Sequence, residues 1–335
     1  MARWVIPIVG GALAIAALFW LYGDLDLGRF VGALADSEPG WLIALGAAIL
    51  AEQLLRGWKW RQILYDLKPI SSWRLFGAIV AGYGAAIIIP LGISPLVRSW
   101  LIARLEGLRM AAVLVTAAIE RFIDGIVFAL VVGIVALVGR IPSIEGDLRL
   151  GLGAAGALSL VLFAALLRLL FKAREPLLRA DSRTGRMIDW LASKAGARFA
   201  DLRSSLAEGI IWPRARARRL GVVVASLGMK AIAATHFLWA GLAVGITLGV
   251  FDYLFLLVFA GFALVLARFI RVPGGFVIGS GYALKLLGVA DEHALAMILF
   301  SHMISIGLMV GIGVVVLWRS GIGVHQIRAK TDEPA

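Results

Sequence analysis

The chain has 335 residues, 61% of them hydrophobic and 16% charged, against about half and about a quarter in an ordinary soluble domain. Several windows of about twenty apolar residues therefore make it an all-α polytopic membrane protein rather than a soluble fold. Its formal charge of +12 suits cytoplasmic loops and anionic leaflets without invoking nucleic acid, and the lack of cysteine removes disulfides, Cys–metal sites and thiol chemistry.

The first apolar run, Trp4–Tyr22, is longer than a signal-peptide core, and no small-x-small site follows it. It predicts a retained transmembrane helix. Residues 23–40 carry Asp24, Asp26, Asp36 and Glu38 against Arg29 alone, which places that loop outside and the N-terminus in the cytoplasm. A second helix, Trp41–Leu64, ends among Arg56, Lys59 and Arg61, with Lys68 and Arg74 beyond, so its end is cytoplasmic. Residues 75–106 are long enough to span but hold Pro90, Pro95 and several glycines. Arg98, Arg104 and Arg109 favour a re-entrant hairpin over a full crossing. Met110–Val138 crosses outward with Glu120, Arg121 and Asp124 about 15 Å deep, near the bilayer midplane. Leu150–Phe171 returns.

The connector 172–219 holds twelve Lys/Arg and five Asp/Glu, 12 − 5 = +7. Met187, Ile188, Leu191, Ala195, Phe199, Leu202 and Leu206 recur in it at helical spacing. That pattern fits an amphipathic helix on anionic inner-leaflet lipids, or a plain basic connector. Leu220–Val250 crosses outward with Lys230 and His236 inside it. Residues 251–290 are broken by Pro273-Gly274-Gly275, since proline lacks an N–H and glycine is costly to order. Asp252, Asp291 and Glu292 flank this second hairpin and place both its ends outside. The last helix, Ala294–Trp318, carries His302 and leaves the C-terminus cytoplasmic. Trp4, Trp41, Trp58, Trp60, Trp73 and Trp318 lie near helix ends, where interface anchoring accounts for them.

The single membrane domain, 1–335, divides into halves, 41–171 and 220–318, that echo one another. Pro90-Leu91-Gly92-Ile93 lies over Pro273-Gly274-Gly275-Phe276 at an offset of 273 − 90 = 183, and Glu120–Asp124 over Ser301–Ser305 at 301 − 120 = 181. Inverted repeats with broken helices meeting at mid-membrane are a transporter architecture; chance pairing of two glycine-rich spans is the alternative.

Charges at the midplane are expensive and mark a cavity or a partner. Arg98, Arg121, Arg268 and Arg271, with Ser280, are candidates for substrate binding, because the guanidinium fork suits phosphate and half-helix N-termini add N–H donors. Glu52, Glu120, Asp124, Lys230 and His302 form a candidate midplane network, with Lys230 or Glu52 partnering Glu120 and Asp124. Structural ion-pair glue, snorkelling arginines and a packed histidine are the competing explanations. Ser280 between two glycines, with His302 on the next helix, also fits a membrane serine nucleophile, but no supporting acid is evident. Neither H-E-x-x-H nor G-x-x-x-x-G-K-[ST] occurs. The expectation is a transporter rather than an enzyme, with no metal or cofactor, passive or driven by an ion gradient. A scaffold for a lipid-biosynthesis complex, docking through 172–219, is the alternative, and a homo-oligomer stays open.

Glu52-x-x-x-Arg56-x-x-Lys59-Trp60, Pro90…Arg98, Glu120-Arg121-x-x-Asp124 and Pro273-Gly274-Gly275, in that order, resemble the lysylphosphatidylglycerol synthase transmembrane-region family, with a hopanoid-biosynthesis-associated branch among its members. The likeness runs over about residues 4–320. It implies a flippase-like domain of the bacterial inner membrane that moves a lipid with a polar or phosphate head group between leaflets, here with no fused synthase. The family's first break reads Pro-x-Arg-x-Gly-Glu where this chain has Gly92, Ser94 and Pro95. Its second carries a glutamate where this chain has Gly279-Ser280-Gly281, and His302 stands where arginine is expected. Without those groups a cationic amino-acylated lipid does not carry over as cargo, and a less charged or bulky polycyclic lipid fits.

Overall fold

The computed structural model describes residues 2–88, 94–138, 146–179, 182–195, 201–270 and 273–319. Among them the chain forms thirteen helices and no strand: α1 Ala2–Tyr22, α2 Leu27–Ala35, α3 Pro39–Leu64, α4 Ser72–Ile88, α5 Ser94–Glu106, α6 Met110–Val138, α7 Gly146–Leu178, α8 Arg183–Ala195, α9 Leu202–Gly209, α10 Arg216–Ala243, α11 Val250–Ile270, α12 Gly275–Leu286 and α13 Asp291–Arg319. Of these, α3, α6, α7, α10 and α13 are long and apolar enough to cross a membrane. Among the described residues, Gly10–Tyr22 of α1 and Leu27–Ala35 of α2, bent by 87° at their junction, give a sixth span if the pair counts as one. The expected acidic loop after α1 thus contains a helix, because Asp26 accepts hydrogen bonds from the N–H groups of Gly28 (2.8 Å) and Arg29 (3.1 Å) and caps α2.

Two compact units divide the chain. Unit 1 takes Met1–Leu50, Phe128–Leu158 and Lys230–Ser305; unit 2 takes Ala51–Val127, Ser159–Met229 and Ile306–Ala335. The element order repeats: α3, the pair α4–α5 and α6, then α10, the pair α11–α12 and α13.

Unit 2 builds its core from α3, α4, α5 and α6, with Trp60, Leu64, Leu75, Ile79, Leu101, Ile102 and Val113 fully or almost fully buried. The bend between α4 and α5 falls on residues 89–93, outside the described residues, so Pro90 and Gly92 are not placed. The two helices pack closely because Gly82 has no side chain: a Cβ there would lie 2.8 Å from the Ser94 carbonyl oxygen and 3.3 Å from Cβ of Arg98. The turn from α5 into α6 is a C-cap in which Gly107 takes φ +66° and the Leu108 N–H donates to the Ala103 carbonyl.

In unit 1 the second break is a turn at Pro273-Gly274, with Gly274 at φ +74° as the N-cap of α12. Beyond it α12 packs on α11 and α1 through glycines. A Cβ on Gly279 would lie 2.1 Å from Cβ of Ala263, and one on Gly281 would lie 2.1 Å from the Tyr22 hydroxyl. Rings fill the remaining space: Phe259 against Tyr282, Trp20 against Tyr282, and Phe237 stacked on Phe276.

The polar connector differs from the single amphipathic helix that its spacing predicts. Helix α7 runs on to Leu178, and two short helices follow, α8 and α9, with 196–200 (Phe199 included) outside the described residues. The expected apolar stripe divides between them: Ile188 and Leu206 pack into a core with Ile119, Leu177 and Val222, whereas Met187 and Leu191 stay exposed.

Candidate functional site

In unit 2, α3 carries Glu52, Arg56 and Lys59 at spacings of four and three, hence along one face, and α6 carries Glu120 and Asp124 one turn apart. Arg98 projects from α5. Arg56 bonds Glu52 at 2.9 Å and Asp124 at 3.3 Å, and lies 3.8 Å from Glu120. Lys59 pairs with Asp124 and, at 3.4 Å, with Glu120. Arg98 NH1 lies 2.7 Å from Glu120 Oε2. Lys59 and Glu120 are wholly buried, Arg98 is 1% exposed, and Arg56 and Asp124 are buried. Three cations thus balance three carboxylates, +3 − 3 = 0. Burying each ion costs several kcal/mol, and only such dense pairing offsets the desolvation.

The surroundings fix Arg98. Its guanidinium lies 4.7 Å above the Trp60 ring, and the Trp60 indole N–H donates to Thr116 at 3.1 Å. Among the described residues, its Nε and NH2 have no hydrogen-bond partner. Tyr83 of α4 lies within electrostatic reach of Arg56, Arg98 and Arg121. Arg121, next to Glu120 on α6, differs from its neighbours: its side chain is exposed and forms no ion pair with any described residue, although Tyr83, Glu120 and Asp124 lie within electrostatic reach.

This charged face lies within the chain's match to a known family. The model of the lysylphosphatidylglycerol synthase transmembrane region matches residues 8–313. The chain belongs to that family. No curated protein and no solved structure matches it. Family membership gives the protein a lipid-related membrane role.

The structure places the remaining candidates unevenly. Arg98, Glu52, Glu120 and Asp124 come together in one cluster of unit 2, with Arg121 beside it. The side chain of Arg268, at the end of α11, and the whole of Arg271 lie outside the described residues. Ser280, in unit 1, is fully buried, and its Oγ hydrogen-bonds to no described group. His302 stacks on Phe276 at 5.1 Å, and with the Ser280 Oγ unbonded among the described residues, Ser280 and His302 are not a hydrogen-bonded pair there. Lys230 sits 5.6 Å over the Phe128 ring.

Arg56 and Lys59 are the residues that sequence reasoning left out of the network. They read as the cytoplasmic end of a helix by charge, yet they are buried counter-ions of Glu120 and Asp124. The signal was there in the 52/56/59 spacing, which faces one way on a helix. Trp60 corrects the interface-anchor reading for the same reason: it is wholly buried beneath Arg98, because it follows Lys59 on the inward face of α3. Trp41 stacks on Trp239 at 5.6 Å, and Trp73 and Trp318 are exposed. The side chain of Trp4 lies outside the described residues.

Proposed function

We propose that this family member is a flippase-like transporter that moves a lipid with a phosphate or polar head group between leaflets. It works in the bacterial cytoplasmic membrane, with both termini on the cytoplasmic side, and without catalysing a reaction. The reading rests on Arg121. Beside a buried cluster that is already neutral, Arg121 is an exposed cation that makes no ion pair among the described residues and feels Glu120 and Asp124 only at longer range. It lies about 15 Å along an apolar helix, where an unbalanced charge is costly. A passing anionic head group supplies the missing charge, and a guanidinium binds phosphate bidentately. The repeated order of long helix, broken pair and long helix supports the inverted-repeat arrangement common among transporters.

One observation favours a second reading. The six charges of the cluster pair among themselves, which is also what a purely structural clamp between α3, α5 and α6 requires. A non-transporting scaffold for a lipid-biosynthesis complex needs no more than that clamp. The two readings separate in proteoliposomes carrying fluorescent anionic, zwitterionic and neutral polycyclic lipids on one leaflet. Transport predicts exchange of at least one lipid, lost in Arg121→Ala and in Arg271→Ala with the unfolding midpoint unchanged. No exchange above protein-free vesicles for any lipid sinks the transport reading and leaves the scaffold.

A further inference from the structure

Helix α8 belongs neither to the candidate spans nor to the charged cluster, yet it is held rigidly on one side. Ser182 accepts from the Gly185 N–H at 2.9 Å and starts the helix. Asp189 takes the Arg203 Nε at 3.0 Å, and the same guanidinium donates to the Leu177 carbonyl at 2.6 Å. One side chain from α9 thereby ties α8 to the end of α7, and Gly185 and Ile188 turn toward the interior.

The opposite face is left to the outside. Met187, Trp190 and Leu191, spaced i, i+3 and i+4, are 57%, 57% and 49% exposed. Arg183 stands four residues before Met187, and Lys194 stands four after Trp190, whose ring its Nζ overlies at 5.2 Å. Arg186 is exposed at the edge of the same face. The helix's only acid, Asp189, points away into its pairing with Arg203. An exposed apolar cluster ringed by three cations and, among the described residues, by no anion calls for a surface that is apolar within and negative at its rim. Chain length supplies the location: α7 is a candidate span ending at Leu178 and α8 begins at Arg183, so five peptide steps keep α8 within about 18 Å of a membrane-spanning helix.

We propose that this face of α8 is a lipid-docking surface seated in the head-group layer of a leaflet rich in anionic phospholipid. Trp190 and Met187 enter the acyl boundary while Arg183, Arg186 and Lys194 meet the phosphates, as tryptophan and basic residues do at interfaces. The occupant is lipid rather than an acidic protein, because a large aromatic and two aliphatics in one turn fit a fluid, deformable phase next to an integral domain.

The cysteine-free sequence makes the test direct. Full-length protein carrying Met187→Cys, Leu191→Cys or the control Ser193→Cys is labelled with an environment-sensitive fluorophore and placed in nanodiscs of phosphatidylglycerol or of phosphatidylcholine. The expected result is a blue shift, with quenching by a shallow lipid-borne quencher, at 187 and 191 in phosphatidylglycerol. Both signals weaken in phosphatidylcholine or high salt, and 193 stays aqueous throughout. The combined variant Arg183→Gln, Arg186→Gln, Lys194→Gln should lose the dependence on anionic lipid. Aqueous spectra at 187 and 191 in both compositions overturn the proposal and leave the face to a protein partner. Equal immersion in the two lipids overturns its electrostatic half.

Discussion

Arg98 on α5 is held in unit 2 by Glu120 at 2.7 Å and by the Trp60 ring, whereas the position 183 residues later, Gly281 on α12, has no side chain and is met in unit 1 by the Tyr22 hydroxyl. The acid changes together with the base: 181 residues beyond Glu120 stands Ser301, itself 6% exposed. The caps, by contrast, are alike. Gly107 and Gly288, also 181 apart, both take positive φ, and Leu108 and Val289 close the same kind of bond to Ala103 and Leu284. Local chain reversal is therefore common to the two halves, while the buried faces follow different chemistry. A buried ion pair behaves as a unit, because either partner alone is an uncompensated charge in a poor solvent for it.

The largest effect should come from breaking that unit. Glu120→Ala leaves Arg98, 1% exposed, with no ion pair among the described residues and should cost about 3–5 kcal/mol, read as a fall in unfolding midpoint in detergent. The double variant Arg98→Met with Glu120→Leu should recover most of the loss, since matched apolar replacements of buried pairs are often near neutral. A double variant as unstable as Glu120→Ala would show that the cluster is not a separable pair.

At the second break the corresponding weak point is steric. Gly281→Ala puts a methyl 2.1 Å from the Tyr22 hydroxyl and should cost about 1–3 kcal/mol by overpacking. That hydroxyl is itself buried with no hydrogen-bond partner among the described residues, so Tyr22→Phe alone should be neutral or slightly stabilising and should rescue part of the loss in Gly281→Ala, the new methyl still lying 2.7 Å from Cδ2 of Leu21. If the tyrosine change gives no rescue, Leu21 rather than the Tyr22 hydroxyl sets the steric limit at this contact.

Periodicity and hydropathy located α3, α6, α7, α10 and α13 to within a turn or two, because a continuous apolar run has few other structures open to it. The second Pro/Gly break likewise falls at the junction of α11 and α12, whereas the residues of the first, between α4 and α5, lie outside the described ones. Partnership was harder to see. Lys59 and Arg56 looked like loop-proximal charges, and only the packing of α3 on α6 shows that they face Glu120 and Asp124. Conversely, Ser280 between two glycines reads as a candidate nucleophile, but the glycines serve close packing against Ala263 and Tyr22. Sequence spacing tells which residues share a face; it does not tell what that face meets.

A smaller effect is expected where charge reaches water. Glu106, last residue of α5, meets Arg74 at 2.7 Å and Lys68 at 2.9 Å. Its partial burial works against ionisation, but hydrogen bonds from Arg74 and Lys68 prevail and hold its carboxyl below the usual carboxylate range. A depressed folded-state pKa stabilises the fold at pH values above the unfolded pKa, about 4.3, and that stability is lost as pH falls through the folded value. Wild type should therefore exceed Glu106→Gln in unfolding midpoint near neutrality, by less than about 1 kcal/mol given its exposed partners. The two should converge in acid. The Lys285–Asp291 pair at 3.6 Å bridges α12 to α13 at the same place in the second half, so Asp291→Asn should give a comparable small loss.

Ser280→Ala should have the smallest effect, and its sign is informative. The Oγ is fully buried and unbonded among the described residues, and an unpaired buried hydroxyl carries a desolvation cost that helix packing here has already absorbed in part. If the site is dry, the variant removes that cost, raises the helix propensity of α12 and stabilises the protein slightly. If the hydroxyl meets a polar group of the cargo, stability stays level while leaflet exchange of a polar lipid falls. A marked loss of stability would mean that Ser280 holds a buried water. The second break would then carry a polar site of its own, and its difference from the first would lie in charge alone.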